Sequence, residues 1–304
     1  MQEKPRILVT GVAGFIGSNL AERLLKAGYE VIGIDNLAYG RKEQVPEGVV
    51  FHKVDVRSKD IYPLFAGVSV VFHLAAKNDL LACQADPVET IDINVAGTTN
   101  VFEAAKRAGV KKVVFASSSA LEEGEARLKG FYAISKAACE KIADGYHAAF
   151  GIDYVLIRYF NVYGPRQDYR RSHPPVMSMF IMQAMRGEQP VLYEGHEHDK
   201  RDFIYVDDIN DFHLACITDD RANNRLFRLG TGESTAIAQI WEVVRKVTGS
   251  ALEPAVKPGP QGHIPVITLA DVSEAKKLGW TAKTSLEDGL RAQYEYLKSE
   301  LGDK

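Results

Sequence analysis

The sequence predicts an α/β fold, in which a doubly wound parallel sheet is followed by a smaller α/β domain. Two observations predict it. Through the first half of the chain, short apolar strands alternate with amphipathic helices, as in parallel sheets whose strands are joined by crossover helices. The first of these strands also runs into a glycine-rich turn and then directly into a helix, over residues 6–25.

The individual elements follow from these patterns. Strands are predicted at residues 7–10, 30–35, 49–54, 68–76, 112–117 and 154–159, and helices at 16–25, 87–108 and 131–150. Beyond residue 164 the elements shorten, with helices at 176–186, 207–218, 236–248 and 286–301 and strands at 191–193 and 203–206. We therefore expect a first domain of residues 1–164, to which 203–230 returns, and a second domain of 165–202 and 231–304.

Composition and charge narrow the class of protein. The chain has 304 residues, of which 46% are hydrophobic and 25% charged, as in ordinary globular proteins. Its net charge of −3 gives no basis for binding nucleic acid or an acidic membrane, and the chain starts too close to its first strand for a signal peptide. Cys83, Cys139 and Cys216 are odd in number and widely spaced. We therefore expect no disulfide framework, no metal site and a location in the reducing cytoplasm.

Three glycines in the first turn predict a phosphate-binding site. Gly11 permits the tight turn, Gly14 lets the backbone approach a ligand, and Gly17 allows the helix to pack closely on the strand. Because the N–H groups at the start of a helix are unpaired and carry partial positive charge, a pyrophosphate can bind there. A βα turn without a ligand has the same pattern, so the prediction of a dinucleotide site needs support from elsewhere in the chain.

An acidic residue at the end of the second strand gives that support. Asp35 lies 18 positions after Gly17. A carboxylate there accepts hydrogen bonds from a ribose 2′-hydroxyl and repels a 2′-phosphate. The predicted cofactor is therefore NAD rather than NADP.

The chemical centre is predicted at the start of helix 131–150. Tyr132 and Lys136 are four residues apart and share a helix face. An ammonium beside a phenol favours the phenolate and lowers its pKa, which makes Tyr132 a candidate general base toward a sugar hydroxyl and a general acid on the return. Ser119 is predicted to hold the same oxygen. A surface pair can have the same Tyr–Lys spacing, so this assignment depends on the dinucleotide motif.

Taken together, the motifs resemble those of the extended short-chain dehydrogenase/reductases, in the branch of NAD-dependent nucleotide-sugar epimerases and dehydratases. The resemblance implies a Rossmann fold for the first domain and covers nearly the whole chain. The motifs occur in the family's order as Thr10-Gly-Val-Ala-Gly-Phe-Ile-Gly17, Asp35-Asn36-Leu37, Asp55-Val56, His73-Leu-Ala-Ala76, Asn94-Val-Ala-Gly-Thr98, Ser117-Ser-Ser119, Tyr132-Ala-Ile-Ser-Lys136, Arg158-Tyr-Phe-Asn-Val-Tyr-Gly-Pro165 and Arg201-Asp-Phe-Ile-Tyr-Val-Asp-Asp208.

The resemblance also implies roles for individual residues. Phe15 and Ile16 would cover the pyrophosphate, and Asp55 and Val56 would meet the adenine. Further cofactor contacts are implied for Asn36, Gly40, Leu74, Ala75, Ala76, Lys77, Asn94, Ser117, Tyr132, Lys136, Tyr159 and Val162. Substrate contacts are implied for Lys77, Ser119, Asn161, Val176, Met177, Tyr193 and Arg201. Arg201 also makes independent sense, because a guanidinium binds phosphate oxygens through two hydrogen bonds.

The chain departs from the family pattern at three places. Only residues 120–130 separate the serines from the Tyr132 helix, where the family has a longer proline-rich loop that forms part of the substrate pocket. The family's usual arginine for the diphosphate is missing near residues 259–264, and Lys257, Gln261 or His263 are the candidates to replace it. A bulky family tyrosine that narrows the sugar site falls on Ile267 or Thr268.

The expected function is an NAD-dependent 4-epimerase of a nucleotide sugar, with a UDP-hexose as substrate, either UDP-glucose/galactose or the N-acetyl forms, and a transient 4-keto intermediate. Family 4,6-dehydratases place an Asp-Glu pair directly after the catalytic hydroxyl residue, whereas Ala120 and Leu121 stand here. Glu122 and Glu123 follow, and we expect them in a solvated turn. A dehydratase or decarboxylase and a non-catalytic dinucleotide-binding protein are the alternatives. The family further implies a homodimer formed by two helices of each subunit.

Overall fold

The computed structural model describes residues 5–124, 128–259 and 266–302. The chain divides into two compact units. The first unit consists of Met1–Tyr159 and Asn210–Arg228, and the second of Phe160–Ile209 and Leu229–Lys304. The chain thus leaves the first unit at residue 160, where the sequence predicts 165, and returns at 210, where the sequence predicts 203.

The first unit is built on a seven-stranded sheet. Its strands are β1 (Arg6–Thr10), β2 (Glu30–Asp35), β3 (Val50–Lys53), β4 (Val68–His73), β5 (Lys112–Ser118), β6 (Asp153–Tyr159) and, from later in the chain, β11 (Arg225–Leu229). The strand order is β11-β6-β5-β4-β1-β2-β3, and β1 to β6 pair in parallel. The order reverses direction at β1, next to β4, so the sheet is doubly wound as the sequence predicts.

The helices of this unit lie between the strands in sequence. They are α1 (Phe15–Lys26), α2 (Leu80–Ala85), α3 (Pro87–Ile91), α4 (Gly97–Ala108) and α5 (Phe131–Phe150). Short 3₁₀ turns occur at Lys42–Gln44, Lys59–Phe65, Ser119–Leu121 and Asp220–Ala222. The helix predicted at 87–108 is wrong in one respect, because a π-helical turn at Asp92–Ala96 interrupts it. In this turn the Asn94 carbonyl accepts hydrogen bonds from the side chains of Thr98 and Cys139. An unbroken helix does not need such side-chain contacts.

Both faces of the sheet are covered. Ile7, Leu8 and Val9 in β1 are all fully buried, although adjacent side chains of a strand point to opposite faces. On one face, α4 and α5 contribute to a core that includes Leu8 and Phe102. Because both faces of the sheet are covered, the strands are continuous hydrophobic runs in the sequence.

The second unit has small strand pairs in place of a large sheet. Strands β7 (Asn161–Tyr163) and β10 (Phe203–Tyr205) pair in parallel, as do β8 (Val191–Tyr193) and β13 (Ala255–Lys257). Strands β9 (Lys200–Arg201) and β12 (Thr235–Ala236) are antiparallel. The helices are α6 (Val176–Arg186), the start of α7 (Val206–Thr218), α8 (Ile237–Thr248), α9 (Ser273–Lys277) and α10 (Leu286–Leu301). Helices α6, α8 and α10 share a core around Phe180, Trp241 and Leu290.

An ion-pair network fixes α5 on the sheet of the first unit. The guanidinium of Arg158, in β6, donates two hydrogen bonds to the Glu140 carboxylate in α5, at 2.9 and 2.8 Å. Ser117, in β5, donates to the same carboxylate at 2.6 Å. Glu122 accepts from both Arg158 and Arg228. Because α5 carries Tyr132 and Lys136, this network sets the position of the predicted chemical centre.

Candidate functional site

The glycine turn after β1 is as tight as the sequence predicts. Gly11 has φ of 72°, a conformation that L-residues with a side chain rarely adopt, and its N–H donates to Ile34 O at 2.8 Å. A Cβ on Gly17 would lie 2.1 Å from Gly11 O, so only glycine fits there. The turn therefore brings the start of α1 directly over the end of β1.

The start of α1 fits a pyrophosphate. In the part of the chain that the structure describes, no side chain caps this helix at Gly14, and its first turn carries no acidic residue. A Cβ on Gly14 would meet only Gly11 O within 4 Å, at 3.2 Å, so this side of the turn is open. Phe15 and Ile16 follow and are half-buried. Free N–H groups, a positive helix end and open space are what an anion needs.

Asp35 closes the turn from the neighbouring strand. Its carboxylate is 8% exposed and accepts hydrogen bonds from Ala13 N at 3.1 Å and Leu37 N at 2.8 Å. Burial raises the pKa of Asp35, and the two backbone hydrogen bonds work against that rise. A carboxylate offers about four acceptor positions, so Asp35 retains capacity for the hydroxyls of a ribose.

The connection after β2 lies against the same turn. Gly40 approaches the turn so closely that a Cβ there would lie 2.8 Å from the carbonyl carbon of Ala13. Asn36 donates to Asp55 at 2.8 Å, and Arg57 donates to the same carboxylate and lowers the pKa of Asp55 to about 2. Asp55 is therefore charged and held beside Asn36, next to the buried Val56.

A line of buried hydrogen bonds orders the end of β4. Thr10 Oγ1 accepts from the N–H groups of Leu74 and Ala75 at 3.1 and 3.2 Å and lies 2.7 Å from His73 Nδ1. Burial lowers the pKa of His73 to about 3, so the imidazole is neutral. Thr10 then donates to Nδ1, and Nε2–H donates to Thr98, 3.0 Å away. His73 is thus a structural link, and Ala76 continues the chain beyond it half-buried.

Asn94 organises the next residues of this edge. Its amide accepts from Lys77 N at 2.8 Å and donates to Lys77 O at 3.0 Å and to Ser135 at 2.9 Å. The Lys77 side chain is 4% exposed, and its ammonium donates to Glu89. The ion pair with Glu89 raises the pKa of Lys77. The structure therefore brings Lys77 and Asn94 together with the catalytic helix α5.

Tyr132 and Lys136 share one face of α5, as predicted, but their protonation differs from the sequence expectation. Burial raises the pKa of Tyr132 to about 12, against the opposing effect of a hydrogen bond with Ser118. The expectation that Lys136 lowers this pKa overall is therefore wrong. Lys136 Nζ lies 5.8 Å from the centre of the Tyr132 ring and donates to Ala116 O at 2.7 Å. Burial lowers the pKa of Lys136 to about 8.

The three serines after β5 point to different partners. Ser118 forms a hydrogen bond with Tyr132, and the role of Ser119 toward the substrate oxygen stays a prediction. Ser119 donates to Glu123 at 2.8 Å. The Ser117 hydroxyl donates to Glu140, so this side chain is already bonded within the protein. Because the three residues are identical, the sequence alone cannot show which of them contacts Tyr132. Glu122 lies in an exposed turn, as expected, and Glu123 follows half-buried in a bend; both carboxylates accept hydrogen bonds there.

One predicted cofactor residue turns into the core. The Tyr159 hydroxyl lies 2.7 Å from His213 Nε2, and both side chains are buried. β6 therefore places the Tyr159 ring against α7, and the contact of Tyr159 with the nicotinamide end stays a prediction.

Apart from Lys77 and Ser119, the predicted substrate residues lie in the second unit, and two of them are held by other protein groups. Asn161 donates to Asp202 O and Thr268 Oγ1 at 2.9 and 3.1 Å. Arg201 donates to Asp199 and to Val266 O. Thr268 is 4% exposed, whereas Ile267 is 64% exposed, so Ile267 is the residue that stands at the surface.

The remaining predicted residues of the second unit differ in exposure. Met177 is buried in the core, Val162 and Val176 are half-buried, and Tyr193 is exposed. Lys257 is exposed and pairs with Tyr193 across β8 and β13. Gln261 and His263 lie outside the described residues.

The glycine turn, Asp35, the end of β4 and the Ser118–Tyr132 pair all lie at the carboxyl ends of adjacent parallel strands, where ligands bind in doubly wound sheets. This arrangement defines a dinucleotide-dependent enzyme. The chain belongs to the NAD dependent epimerase/dehydratase family, whose model matches residues 7–230.

Individual relatives match over nearly the whole chain. A putative UDP-glucose 4-epimerase of Methanocaldococcus jannaschii is 32% identical over 96% of this chain and 98% of its own length. A UDP-glucuronate 4-epimerase of Thermodesulfobacterium geofontis is 33% identical, with 97% and 96% covered. A solved UDP-N-acetylglucosamine 4-epimerase from Methanobrevibacter ruminantium, in complex with UDP-N-acetylmuramic acid, is 30% identical with a TM-score of 0.91, covering 98% of this chain and all of that one.

These comparisons confirm the Rossmann-type α/β fold, the family resemblance, NAD as the cofactor and the assignment to the epimerases. Within the described part of the chain, no helix is both long and apolar enough to cross a membrane.

The environment of Asp35 predicts its effect on cofactor choice. Asp35→Ala removes a charged acceptor from the ribose position, so NAD should bind about tenfold or more weakly and the preference over NADP should shrink. Titration of both cofactors by fluorescence measures this. Asp35→Asn is the matched control, since it keeps the shape and removes the charge that repels a 2′-phosphate. An unchanged NAD to NADP ratio in both variants contradicts the assignment.

The lowered pKa of Lys136 predicts a pH-dependent stability. Below pH 8 the ammonium is charged in the folded and unfolded chain, and its burial destabilises the fold. From pH 8 to about 10.5 only the unfolded chain keeps the proton, so stability rises with pH. Lys136→Met should therefore raise the Tm at pH 7 by a few degrees, and the gain should shrink by pH 10. Thermal unfolding at both pH values tests this, with the exposed Lys141→Met as control. A gain that is equal at both pH values rejects it.

Proposed function

We propose that the protein is an NAD-dependent 4-epimerase of UDP-hexoses. The observation that carries this proposal is the position of Tyr132, next to Ser118 and Lys136 at the carboxyl edge of the dinucleotide-binding sheet. The names of the relatives, which are UDP-sugar 4-epimerases, support the same reaction. UDP-glucose/galactose and the N-acetyl forms are the proposed substrates.

We propose that the first unit binds NAD and carries the reacting groups. The proposed cofactor contacts are the backbone of the glycine turn and residues Gly11, Gly14, Phe15, Ile16, Gly17, Asp35, Asn36, Gly40, Asp55, Val56, Leu74, Ala75, Ala76, Lys77, Asn94, Tyr132 and Lys136. The second unit is proposed to bind the nucleoside diphosphate, through Asn161, Val176, Met177, Tyr193, Arg201 and Lys257. The hydrogen bonds that Arg201 makes to Asp199 and Val266 would then have to be exchanged for phosphate contacts.

In the proposed reaction, Tyr132 Oη takes the proton of the sugar 4-hydroxyl while Ser118 holds that oxygen by a hydrogen bond. Bound NAD supplies the acceptor that takes a hydride from C4 and returns it to the other face, and its oxidised form adds a positive charge. A phenol with a pKa of about 12 keeps its proton at neutral pH. The base form of Tyr132 therefore depends on positive charge in the site, to which the Lys136 ammonium contributes.

The dehydratase and decarboxylase alternatives have less support from the residues around Tyr132. Ala120 and Leu121 occupy the positions of the family's Asp-Glu pair, and neither is an acid. Glu122 is held by two arginines. A dinucleotide-binding protein without turnover has no use for the buried Lys136 charge beside Tyr132.

NMR of the products from UDP-glucose, UDP-N-acetylglucosamine and UDP-glucuronate, each given separately, tests the proposal. We expect inversion at C4 of UDP-glucose and of its N-acetyl form at comparable rates, because Ile267 is smaller than the family's tyrosine at this place. If no inversion at C4 occurs with any of the three sugars, the proposed function is wrong.

The role of Tyr132 predicts a specific loss of turnover. Tyr132→Phe should lower kcat by about 10²–10⁴-fold while NAD binding stays near normal, since only the transferring oxygen is removed. Ser118→Ala should also lower kcat, whereas Ser119→Ala should have a smaller effect. Steady-state kinetics and an NAD titration measure this. If the loss follows Ser119 rather than Ser118, the assignment of the hydroxyl residue is incorrect.

Substitution of the two glutamates distinguishes an epimerase from a dehydratase. An epimerase needs no second acid–base group, so Glu122→Gln and Glu123→Gln should keep most activity on UDP-glucose. The product should retain all its oxygens in mass spectrometry. A product lighter by one water, together with lost activity in either variant, would establish a dehydratase instead.

We further propose a homodimer formed through α3, α5 and the neighbouring α2. These helices pack together and expose Leu81, Val88 and Ile134 at 62%, 80% and 42%. A cytoplasmic location is proposed because Cys83, Cys139 and Cys216 are all free, which suits a reducing compartment.

Sedimentation at micromolar concentration should give twice the chain mass of 33.6 kDa. Ile134→Glu should give the mass of one chain, because a charge in an apolar contact is costly to bury. Val256→Glu, at a position of the second unit that is 56% exposed, should leave the mass unchanged. A single-chain mass for the unmodified protein rejects the dimer.

A further inference from the structure

A buried carboxylate joins separate segments of the second unit. Asp202 is fully buried. Its Oδ1 accepts from Thr231 N and Oγ1 at 2.7 and 2.8 Å, and its Oδ2 accepts from Gly232 N and Ala270 N, both at 3.0 Å. A Cβ on Gly230 would lie 2.4 Å from Oδ2, so the chain passes directly over this carboxylate. Asp202 therefore fixes the segments that contain Thr231 and Ala270 next to the chain between β9 and β10.

The same contacts fix the position of Thr268, two residues before Ala270. Thr268 N donates to Lys200 O at 3.0 Å, and Thr268 O accepts from Ser234 Oγ at 2.8 Å. Thr268 is 4% exposed, although its neighbour Ile267 stands at the surface. The Thr268 hydroxyl is therefore held in place from both sides of its backbone.

This hydroxyl bonds to the amide of Asn161, one of the predicted substrate residues. Asn161 Nδ2 donates to Thr268 Oγ1 at 3.1 Å and to Asp202 O at 2.9 Å. Asp202 N also donates to Thr268 Oγ1, at 3.1 Å. A backbone carbonyl can only accept, so the NH2 group of Asn161, and not its oxygen, must face Asp202 O. Both N–H groups are thus bonded within the protein, and Oδ1 is the polar atom of this half-buried side chain that a ligand can use.

We propose that Thr268 is a positioning residue for substrate binding, whose hydroxyl fixes the Asn161 amide so that Asn161 presents Oδ1 to a hydrogen-bond donor of the nucleotide sugar. The inference rests on the proposed function, in which Asn161 binds the substrate. It assigns a role to the place where Ile267 and Thr268 stand instead of the family's tyrosine.

Fixing the Asn161 amide before the substrate arrives raises affinity. A side chain that becomes ordered only on binding loses its rotamer freedom at that moment, and this loss weakens binding by about two- to tenfold for one side chain. Without the Thr268 hydroxyl, one N–H of Asn161 loses its acceptor, and Asp202 O alone holds the amide. The direction of Oδ1 is then no longer fixed.

Calorimetry of UDP-glucose binding to the NAD-loaded protein tests the proposal. Thr268→Val replaces the hydroxyl by a methyl group of similar size and should raise the Kd by about fivefold. Thr268→Ser keeps the hydroxyl, so its Kd should stay within about twofold of that of the unmodified protein. The Kd for NAD should be the same in all three, because the glycine turn belongs to the first unit, whereas a general loss of fold would weaken both ligands.

Thr231→Val is the matched control. It makes the same substitution beside the same carboxylate, but the Thr231 hydroxyl bonds to Asp202 and Glu233 rather than to Asn161. The Kd for UDP-glucose should therefore be unchanged. An equal rise of this Kd in Thr231→Val and Thr268→Val overturns the proposal, as does an unchanged Kd in Thr268→Val or a rise in Thr268→Ser as large as that in Thr268→Val.

A double-mutant cycle shows whether Thr268 acts through Asn161. In a protein that already carries Asn161→Ala, Thr268→Val should change the Kd for UDP-glucose by less than about twofold. A full rise in that background means that Thr268 acts independently of Asn161, and the proposal is then wrong. If Thr268→Val does not fold, Thr268→Ala takes its place in both comparisons.

The binding measurements separate the proposal from the assigned reaction. If UDP-glucose binds but its C4 is not inverted, the proposed reaction fails and the Kd values decide the inference alone. If the unmodified protein does not bind UDP-glucose, both fail. Titration with UDP identifies the donor that meets Asn161. An equal rise of the Kd for UDP in Thr268→Val places this donor in the nucleotide, and a rise for UDP-glucose alone places it in the sugar.

Discussion

The two parallel hydrogen bonds between the Glu140 carboxylate and the Arg158 guanidinium hold the catalytic helix to the sheet. Both side chains are largely buried, at 11% and 17% exposure, and removing one partner from a buried pair typically destabilises by about 3–5 kcal/mol. Glu140 lies one helical turn from Lys136 on α5, and Ser117 joins the pair from β5. The positions of Tyr132 and Lys136 relative to the sheet edge therefore depend on this contact, whereas Ser118 belongs to β5 itself.

The proposed catalytic centre contains a buried charge that costs the fold stability. Lys136 is charged and buried with a lowered pKa, and Tyr132 has a raised pKa. Burial of the Lys136 ammonium is unfavourable for folding, whereas the Tyr132 phenol stays uncharged at neutral pH. A site that must move a proton between a phenol and a sugar needs both groups to respond strongly to an added charge, and burial provides that response. The surrounding core is closely packed and offsets the cost.

The sequence predicts regular elements better than it predicts partners. Helices 131–150 and 176–186 can be placed at their observed bounds, because Gly151 and Gly187 adopt the left-handed conformation that ends a helix. The π turn at Asp92–Ala96 cannot be predicted in this way, since it depends on contacts from Thr98 and Cys139. Likewise, the backbone direction at the end of β5 decides that Ser118 contacts Tyr132. The motif consists of identical serines, so the sequence cannot show this.

The order of the chain through the two units has a consequence for synthesis on the ribosome. Strand β6 is paired on one side by β11, but all of residues 160–209 are made between them and belong to the second unit. At about 5–20 residues per second, β6 remains an open sheet edge for several seconds. An open edge is a template for pairing with another chain. During synthesis, β6 is therefore an edge of the unfinished sheet that is open to pairing with another chain until β11 emerges.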